Sequence, residues 1–320
     1  MRLILPPSWS LPDSAVSPES AYLERRRFLK VLGMGLVGAA FAPSGPLAAT
    51  AGFPSRPNPA YRLDDLTPTK ENAVLGYNNF YEFSFQKEGP RIEANKGWKT
   101  EPWTLEIGGW VERPQKFDVN ELVRRMGGIE QRNYRHRCVE GWSMVIPWDG
   151  FPLKKLVELA RPLAGARFVN FTSFVDADAA PSQNDSRFPW PYTEGLTLAE
   201  ATNELAFLAT GIYGKPLANQ NGAPIRLVVP WKSGFKSVKS IAKIQFTEDQ
   251  PETFWHAVAP RECGFYANVN PRVDHPRWSQ ARERVIGGGL LEGKKATLLF
   301  NGYEKQVAGL YKDLDLEKNF

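Results

Sequence analysis

The stretch Tyr134-Arg135-His136-Arg137-Cys138-Val139-Glu140-Gly141-Trp142-Ser143 holds one of only two cysteines in a chain of 320 residues, directly behind three basic side chains. Nearby cations favour the thiolate, the form of cysteine that binds metals and attacks electrophiles. Local composition leaves two readings open, a functional thiolate at Cys138 or a structural thiol. A cysteine hydrolase would need a His and an Asn or Asp around the sulfur. His136 is expected to point to the opposite face if the segment is a strand, and His256 or His275 could approach only through long-range folding.

Two other segments carry chemistry. Asn221 to Lys239 places Arg226, Lys232, Lys236 and Lys239 among glycines and serines. Cations and backbone amides in that arrangement can surround an anion such as phosphate, although an isolated segment of this kind also fits a solvated turn. It contains neither G-x-G-x-x-G nor G-x-x-x-x-G-K-[ST], so no dinucleotide fold or P-loop is indicated. Tyr77-Asn78-Asn79-Phe80-Tyr81-Glu82-Phe83 crowds amides, a phenol and a carboxylate beside aromatic rings. Side-chain amides can donate and accept together along a heterocycle edge, but an ordinary turn beside a core aromatic reads the same way locally.

Composition narrows the classes. With 42% hydrophobic and 12% aromatic residues the chain can bury a substantial core. A net charge of +5 without a dense basic run argues against nucleic acid. The other cysteine is Cys263, and the chain has no C-x-x-C and no Cys/His cluster, which disfavours zinc, iron–sulfur and c-type haem sites. A single Cys138–Cys263 disulfide in an exported binding module is the alternative.

The N-terminal residues read as an address. Glu24-Arg25-Arg26-Arg27-Phe28-Leu29-Lys30 precedes the apolar run Val31 to Ala42, followed by small residues and prolines. That is the layout of a signal peptide, with a run too short to span a bilayer, which takes about 20 residues. The order Arg-Arg-x-Phe-Leu-Lys resembles a twin-arginine signal, which predicts export of a folded protein to the periplasm. Residues 1–51 are expected to be removed, 52–69 to form an extended linker, and 70–320 to form one domain.

Within that domain strands are predicted at Trp103 to Val111, Arg167 to Val175, Leu205 to Tyr213, Ile225 to Val229 and Ile241 to Thr247. Asp118-Val119-Asn120-Glu121 has the form of a capping box and predicts a helix through Met126, and a second helix is predicted from Leu153 to Ala160. The class is α+β, with short strands and long loops.

Taken together, Tyr77 to Glu82, Arg137-Cys138-Val139-Glu140, Trp142 to Trp148, Asn221 to Lys239 and Gly264-Phe265-Tyr266-Ala267-Asn268-Val269-Asn270-Pro271 resemble the molybdenum-containing catalytic subunits of periplasmic protein-methionine-sulfoxide reductases, members of the sulfite-oxidase-fold superfamily. The resemblance spans the chain from Tyr77 to Leu316. It implies a sulfite-oxidase-type molybdopterin-binding fold and one molybdenum–molybdopterin per chain, with Cys138 as the protein's metal ligand. Asn78, Tyr81, Glu82, Asn221, Arg226, Ser237, Val238 and Lys239 would contact the pterin. Ser173 stands where the family has Thr, with Thr172 as the neighbour able to substitute. Asn79 and Glu140 would lie near the metal, Glu140 as a proton relay. Cys263 stands where an aromatic residue is expected.

The same resemblance implies reduction of methionine sulfoxide in oxidised proteins, electrons from a membrane haem-b subunit, no nucleic-acid partner and no stable homodimer. Sulfite oxidation is the nearest rival, since it uses the same fold and cofactor in the opposite direction.

Overall fold

The computed structural model describes residues 52–63, 65–287 and 293–319. The expected signal peptide lies outside the described residues. Contacts divide the chain into Met1–Ala49 and Thr50–Phe320, and everything below concerns the second unit.

Two sheets form its framework. The larger has eight strands, β1 (Arg56–Pro57), β4 (Glu130–Cys138), β5 (Trp142–Pro152), β8 (Phe207–Ile212), β9 (Lys215–Pro216), β10 (Arg226–Val228), β12 (Arg282–Val285) and β13 (Lys294–Ala296). The smaller has five, in the order β3 (Gln115–Asp118), β2 (Thr104–Gly109), β11 (Ile241–Thr247), β6 (Phe168–Ser173) and β7 (Thr193–Thr197). In the larger sheet β5 is the hub, pairing antiparallel with β4 and β8 and parallel with β12. Every residue of β5 except Pro152 is buried. A strand covered on both faces shows no apolar–polar alternation, which is why the sequence pattern did not reveal it.

Elements with strong local signals sit where expected. The helix Leu153–Ala160 buries Leu153, Leu156, Val157 and Ala160, the spacing of one helical face. In the helix Val119–Arg125 the Asp118 side chain accepts hydrogen bonds from the Asn120 and Glu121 amides, satisfying donors that a helix start leaves open. The strand Ile241–Thr247 matches its predicted bounds, and β2, β6, β8 and β10 fall inside theirs.

The described part of the segment expected as a linker, residues 52–63 and 65–69, lies along the larger sheet. β1 pairs in parallel with Glu130 and Gln131 of β4, the Asn58 amide donates to Glu130, and the Thr69 amide donates to the Val145 carbonyl. One apolar core runs between the sheets. A second cluster of Phe80, Phe83, Ala94, Trp98, Phe174 and Ala180 lies beneath the Tyr77–Phe83 segment.

Candidate functional site: a cavity at the tip of the central hairpin

The β4–β5 hairpin places the two residues on which the site depends. Cys138 pairs with Trp142, so the connection is the three residues Val139-Glu140-Gly141. Gly141 adopts φ +79°, and its amide donates to the Cys138 carbonyl at 2.9 Å. A three-residue hairpin loop commonly ends in a left-handed residue, and glycine takes that conformation without a Cβ clash. The turn sets Glu140 at the hairpin tip and Cys138 at the last paired position.

Around this tip lies a cavity of about 1100 Å³, counted with its open mouth. Its lining includes Asn78, Asn79, Tyr81, Glu82, Cys138, Glu140, Asn221, Arg226, Ser237 and Lys239, drawn from three distant segments. Phe80 and Phe83 turn into the second apolar cluster, and that anchorage leaves Asn79, Tyr81 and Glu82 facing the cavity. Ser173 and Val238 are buried but do not line it. The Ser173 hydroxyl donates to the Lys239 carbonyl at 2.9 Å, and the Val238 amide donates to the Lys236 carbonyl, so both brace the loop from behind. Thr172 is likewise outside the lining.

Glu140 is the hydrogen-bond centre. Its Oε2 accepts from Lys87 Nζ at 2.6 Å, Trp142 Nε1 at 2.8 Å and Asn79 Nδ2 at 3.2 Å, and its Oε1 accepts from Tyr81 at 3.3 Å. Burial works against the carboxylate, but the bonds from Lys87, Trp142 and Asn79 outweigh it and hold its pKa below the usual value. Cys138 Sγ lies 3.7 Å from Glu140 Oε2 and 3.6 Å from Asn79 Nδ2.

Two expectations about Cys138 are overturned for one reason. Strand side chains repeat with a period of two, so His136 shares the face of Cys138 and lines the same cavity. Arg137 points away instead, where it pairs with Glu283 at 3.0 Å and with Gln280. The thiol therefore lacks Arg137 as the facing cation expected to hold it ionised. Burial, reinforced by the Glu140 charge, pushes its pKa up to about 12, and Lys87 and Arg137 offset only part of this. His136 is held neutral, its pKa pulled to about 3 by burial and by Arg226 and Lys239. Binding of a metal at Cys138 must displace the thiol proton. Cys138 and Cys263 are both free, buried and part of the cavity wall, so they do not form the alternative disulfide.

The donor set fits a pterin bearing a phosphate. Arg226 is buried against the Trp148 ring, its nitrogens donating to the carbonyls of Asn221 and Ser237. Lys239 Nζ donates to the Asn79 carbonyl at 2.6 Å. Burial pulls both pKa values down, and Lys239 and Glu82 perturb each other. Among the described residues neither cation forms a salt bridge with a carboxylate, and Glu82 offsets the Lys239 charge only through space, so the cavity floor can receive an anion. Asn221 Oδ1 and Trp148 Nε1 are buried without a partner, an acceptor and a donor of the kind a heterocycle edge satisfies. Among the described residues no group of three or more His, Cys, Asp and Glu side chains could hold a metal. A metal at Cys138 thus needs ligands from a second molecule, as a dithiolene supplies.

Comparison with known proteins agrees with this donor set. Residues 92–255 match the oxidoreductase molybdopterin binding domain family. The protein-methionine-sulfoxide reductase catalytic subunit MsrP of Ralstonia nicotianae is 46% identical over 97% of this chain and 96% of its own length. The chain belongs to this reductase family. As a member of the MsrP family it is an α+β oxidoreductase with a molybdenum–molybdopterin cofactor. The sulfane dehydrogenase SoxCD of Paracoccus pantotrophus is 18% identical, with a TM-score of 0.39, over 51% of this chain and 41% of its own.

Lys87, which holds Glu140 from outside the lining, and several lining residues had no role assigned from sequence. Lys87 follows the Tyr77–Phe83 segment closely, yet nothing in a lone lysine marks it as the partner of a carboxylate 53 positions away. Trp142 stood inside the opening stretch without an assigned role. Tyr192, Trp255, Glu262, Arg277 and Trp278 arrive by folding alone with no local motif to announce them, while His275 reaches the lining by the long-range folding that its approach required.

Proposed function

We propose that this chain reduces methionine sulfoxide residues in oxidised periplasmic proteins, with Cys138 as its molybdenum ligand and a membrane haem-b subunit as its electron donor. The observation that carries this reading is the Cys138 thiol, set beside Glu140 and Asn79 in a cavity whose floor holds unneutralised cations. When bound, a molybdenum–dithiolene centre can accept the sulfoxide oxygen and two oxidising equivalents, leaving a thioether. Arg226 and Lys239 would bind the phosphate, and Asn78, Tyr81, Glu82, Asn221 and Ser237 the remainder of the pterin. Ser173 and Val238 keep the loop in place behind them. Asn79 fixes the orientation of Glu140, and Lys87 holds the Glu140 carboxylate next to the sulfur, where Oε2 can take up and release the protons that become water. Trp142 and Tyr81 donate further hydrogen bonds that hold that carboxylate in place. The Arg25-Arg26 signal supports export to the periplasm, and the twin-arginine route fits a protein that folds around its cofactor beforehand.

Cys138→Ser tests the ligand assignment. The variant is expected to fold, to lose its molybdenum and to reduce no methionine sulfoxide with a reduced dye as electron donor. Full activity in this variant would remove Cys138 from the reaction. Purified wild-type protein that oxidises sulfite and reduces no sulfoxide would overturn the direction of transfer.

A further inference from the structure

Past Tyr81 the cavity opens onto aromatic rings that have no part in cofactor binding. Tyr81 and Trp255 line the cavity and meet edge to face, with ring centroids 5.1 Å apart. From Tyr81 the contacts run outward to Phe85 at 5.4 Å and from Phe85 to Phe188 at 5.2 Å. Phe188 stacks at 6.0 Å on buried Phe254, against which Trp190 also packs at 4.8 Å. Phe85 is 45% exposed, while Tyr81, Phe188, Trp190 and Trp255 are half-buried. These rings come from three segments of the chain, yet they form one apolar path from the cavity to solvent.

Isolated exposed rings are common on protein surfaces, but a continuous apolar path leading into a reaction cavity marks a contact surface. A methionine sulfoxide that reaches Cys138 brings its own polypeptide to the mouth, so the neighbouring side chains must rest there. Ring faces and edges at that mouth match apolar or aromatic neighbours, through aromatic pairing and, for methionine, sulfur–ring contact.

We propose that Phe85, Phe188 and Trp255 form a docking surface for an apolar side chain next to the oxidised methionine of an extended polypeptide substrate. This rests on the reductase reading above and adds a preference for the flanking residues. Phe85 supplies the outermost ring and meets the Glu140 hydrogen-bond group only through its contact with the Tyr81 ring.

The test uses holoenzyme, a reduced dye and three substrates. Two are peptides of equal length and charge with one methionine sulfoxide, flanked by Phe in one and by Ser in the other, and the third is dimethyl sulfoxide. Wild-type enzyme is expected to show a KM for the Phe-flanked peptide roughly two- to tenfold below that of the Ser-flanked one. Phe85→Ala should abolish that difference through KM with kcat unchanged, Phe85→Trp should restore it, and dimethyl sulfoxide should be turned over equally by all three proteins. Calorimetric Kd values for the corresponding methionine peptides should follow the same order without turnover. Equal KM values in the wild type, or a Phe85→Ala defect equal for all substrates, would overturn the proposal. If no sulfoxide is reduced while Phe-flanked peptides still bind in a Phe85-dependent way, the reductase reading falls and the docking surface stands.

Discussion

Of the four cations of the Asn221 to Lys239 segment, Arg226, Lys232 and Lys236 are buried and Lys239 is half-buried, and the fold treats them in two ways. Lys232 and Lys236 each meet a buried carboxylate, Glu200 at 2.5 Å and Glu194 at 2.7 Å. Lys232 Nζ also donates to the Tyr266 carbonyl and to Asn268, while Tyr311 donates to Glu200. These pairs bind the loop to strand β7 and to the helix Leu198–Ala201 that follows it. Among the described residues Arg226 and Lys239 hydrogen-bond only to carbonyl oxygens and face the cavity, where Glu82 acts on Lys239 through space without a salt bridge. Burial of a cation therefore does not identify a ligand site. Its uncompensated charge does, because a buried charge without a partner is costly.

The largest effect expected from this contrast comes from the paired side. Glu200→Gln strips Lys232 of its counter-charge and should cost about 3–5 kcal/mol in urea unfolding, with molybdenum per folded chain unchanged. The same variant should alter the acid response. Burial tends to raise the Glu200 pKa, but Lys232 and Tyr311 outweigh it and hold the folded value below the usual 4.5. Its contribution to stability is thus complete above about pH 4.5 and is lost as pH falls through the depressed value. Wild-type protein should accordingly lose more stability than Glu200→Gln on acidification below that point; parallel acid-unfolding curves would contradict the pairing.

A smaller effect of a different kind is expected on the cavity side. Arg226→Met should leave the cofactor-free protein as stable as the wild type or more so, because it removes an unneutralised buried charge. Loss of hydrogen bonds to a charged phosphate, worth about 1.5–3 kcal/mol, should weaken pterin retention tenfold or more, measured as molybdenum remaining after dialysis. Unchanged retention would erase the distinction between the two pairs of cations. The smallest effect belongs to Ser173→Ala, which should lower stability by about 0.5–1.5 kcal/mol through the lost bond to Lys239 while pterin content holds. A large fall in pterin content would place the Ser173 hydroxyl in direct contact with the cofactor.

Legibility from sequence followed the locality of each signal. Leu153–Ala160 announces itself by the spacing of its apolar residues, and the helix after Asp118 by its cap. The β4–β5 hairpin gave no such signal. β5 is buried on both faces, and β4 carries Arg132 and Arg137 into the interior, where Arg137 depends on Glu283 from β12. The turn itself was present as Val139-Glu140-Gly141, with glycine where the left-handed residue must stand.

By itself the sequence determined the reactive inventory: Cys138, the amides of Asn78 and Asn79, the four cations of one loop, and a family resemblance strong enough to name the cofactor. It also determined the elements whose stability is local. Tertiary structure decided which of those groups act together. It placed Lys87 on Glu140, turned Arg137 away from Cys138 and His136 toward it, neutralised Lys232 and Lys236 and left Arg226 and Lys239 open. The physical reason is that charge compensation and desolvation depend on distance in space, and residues far apart in the chain supply the partners.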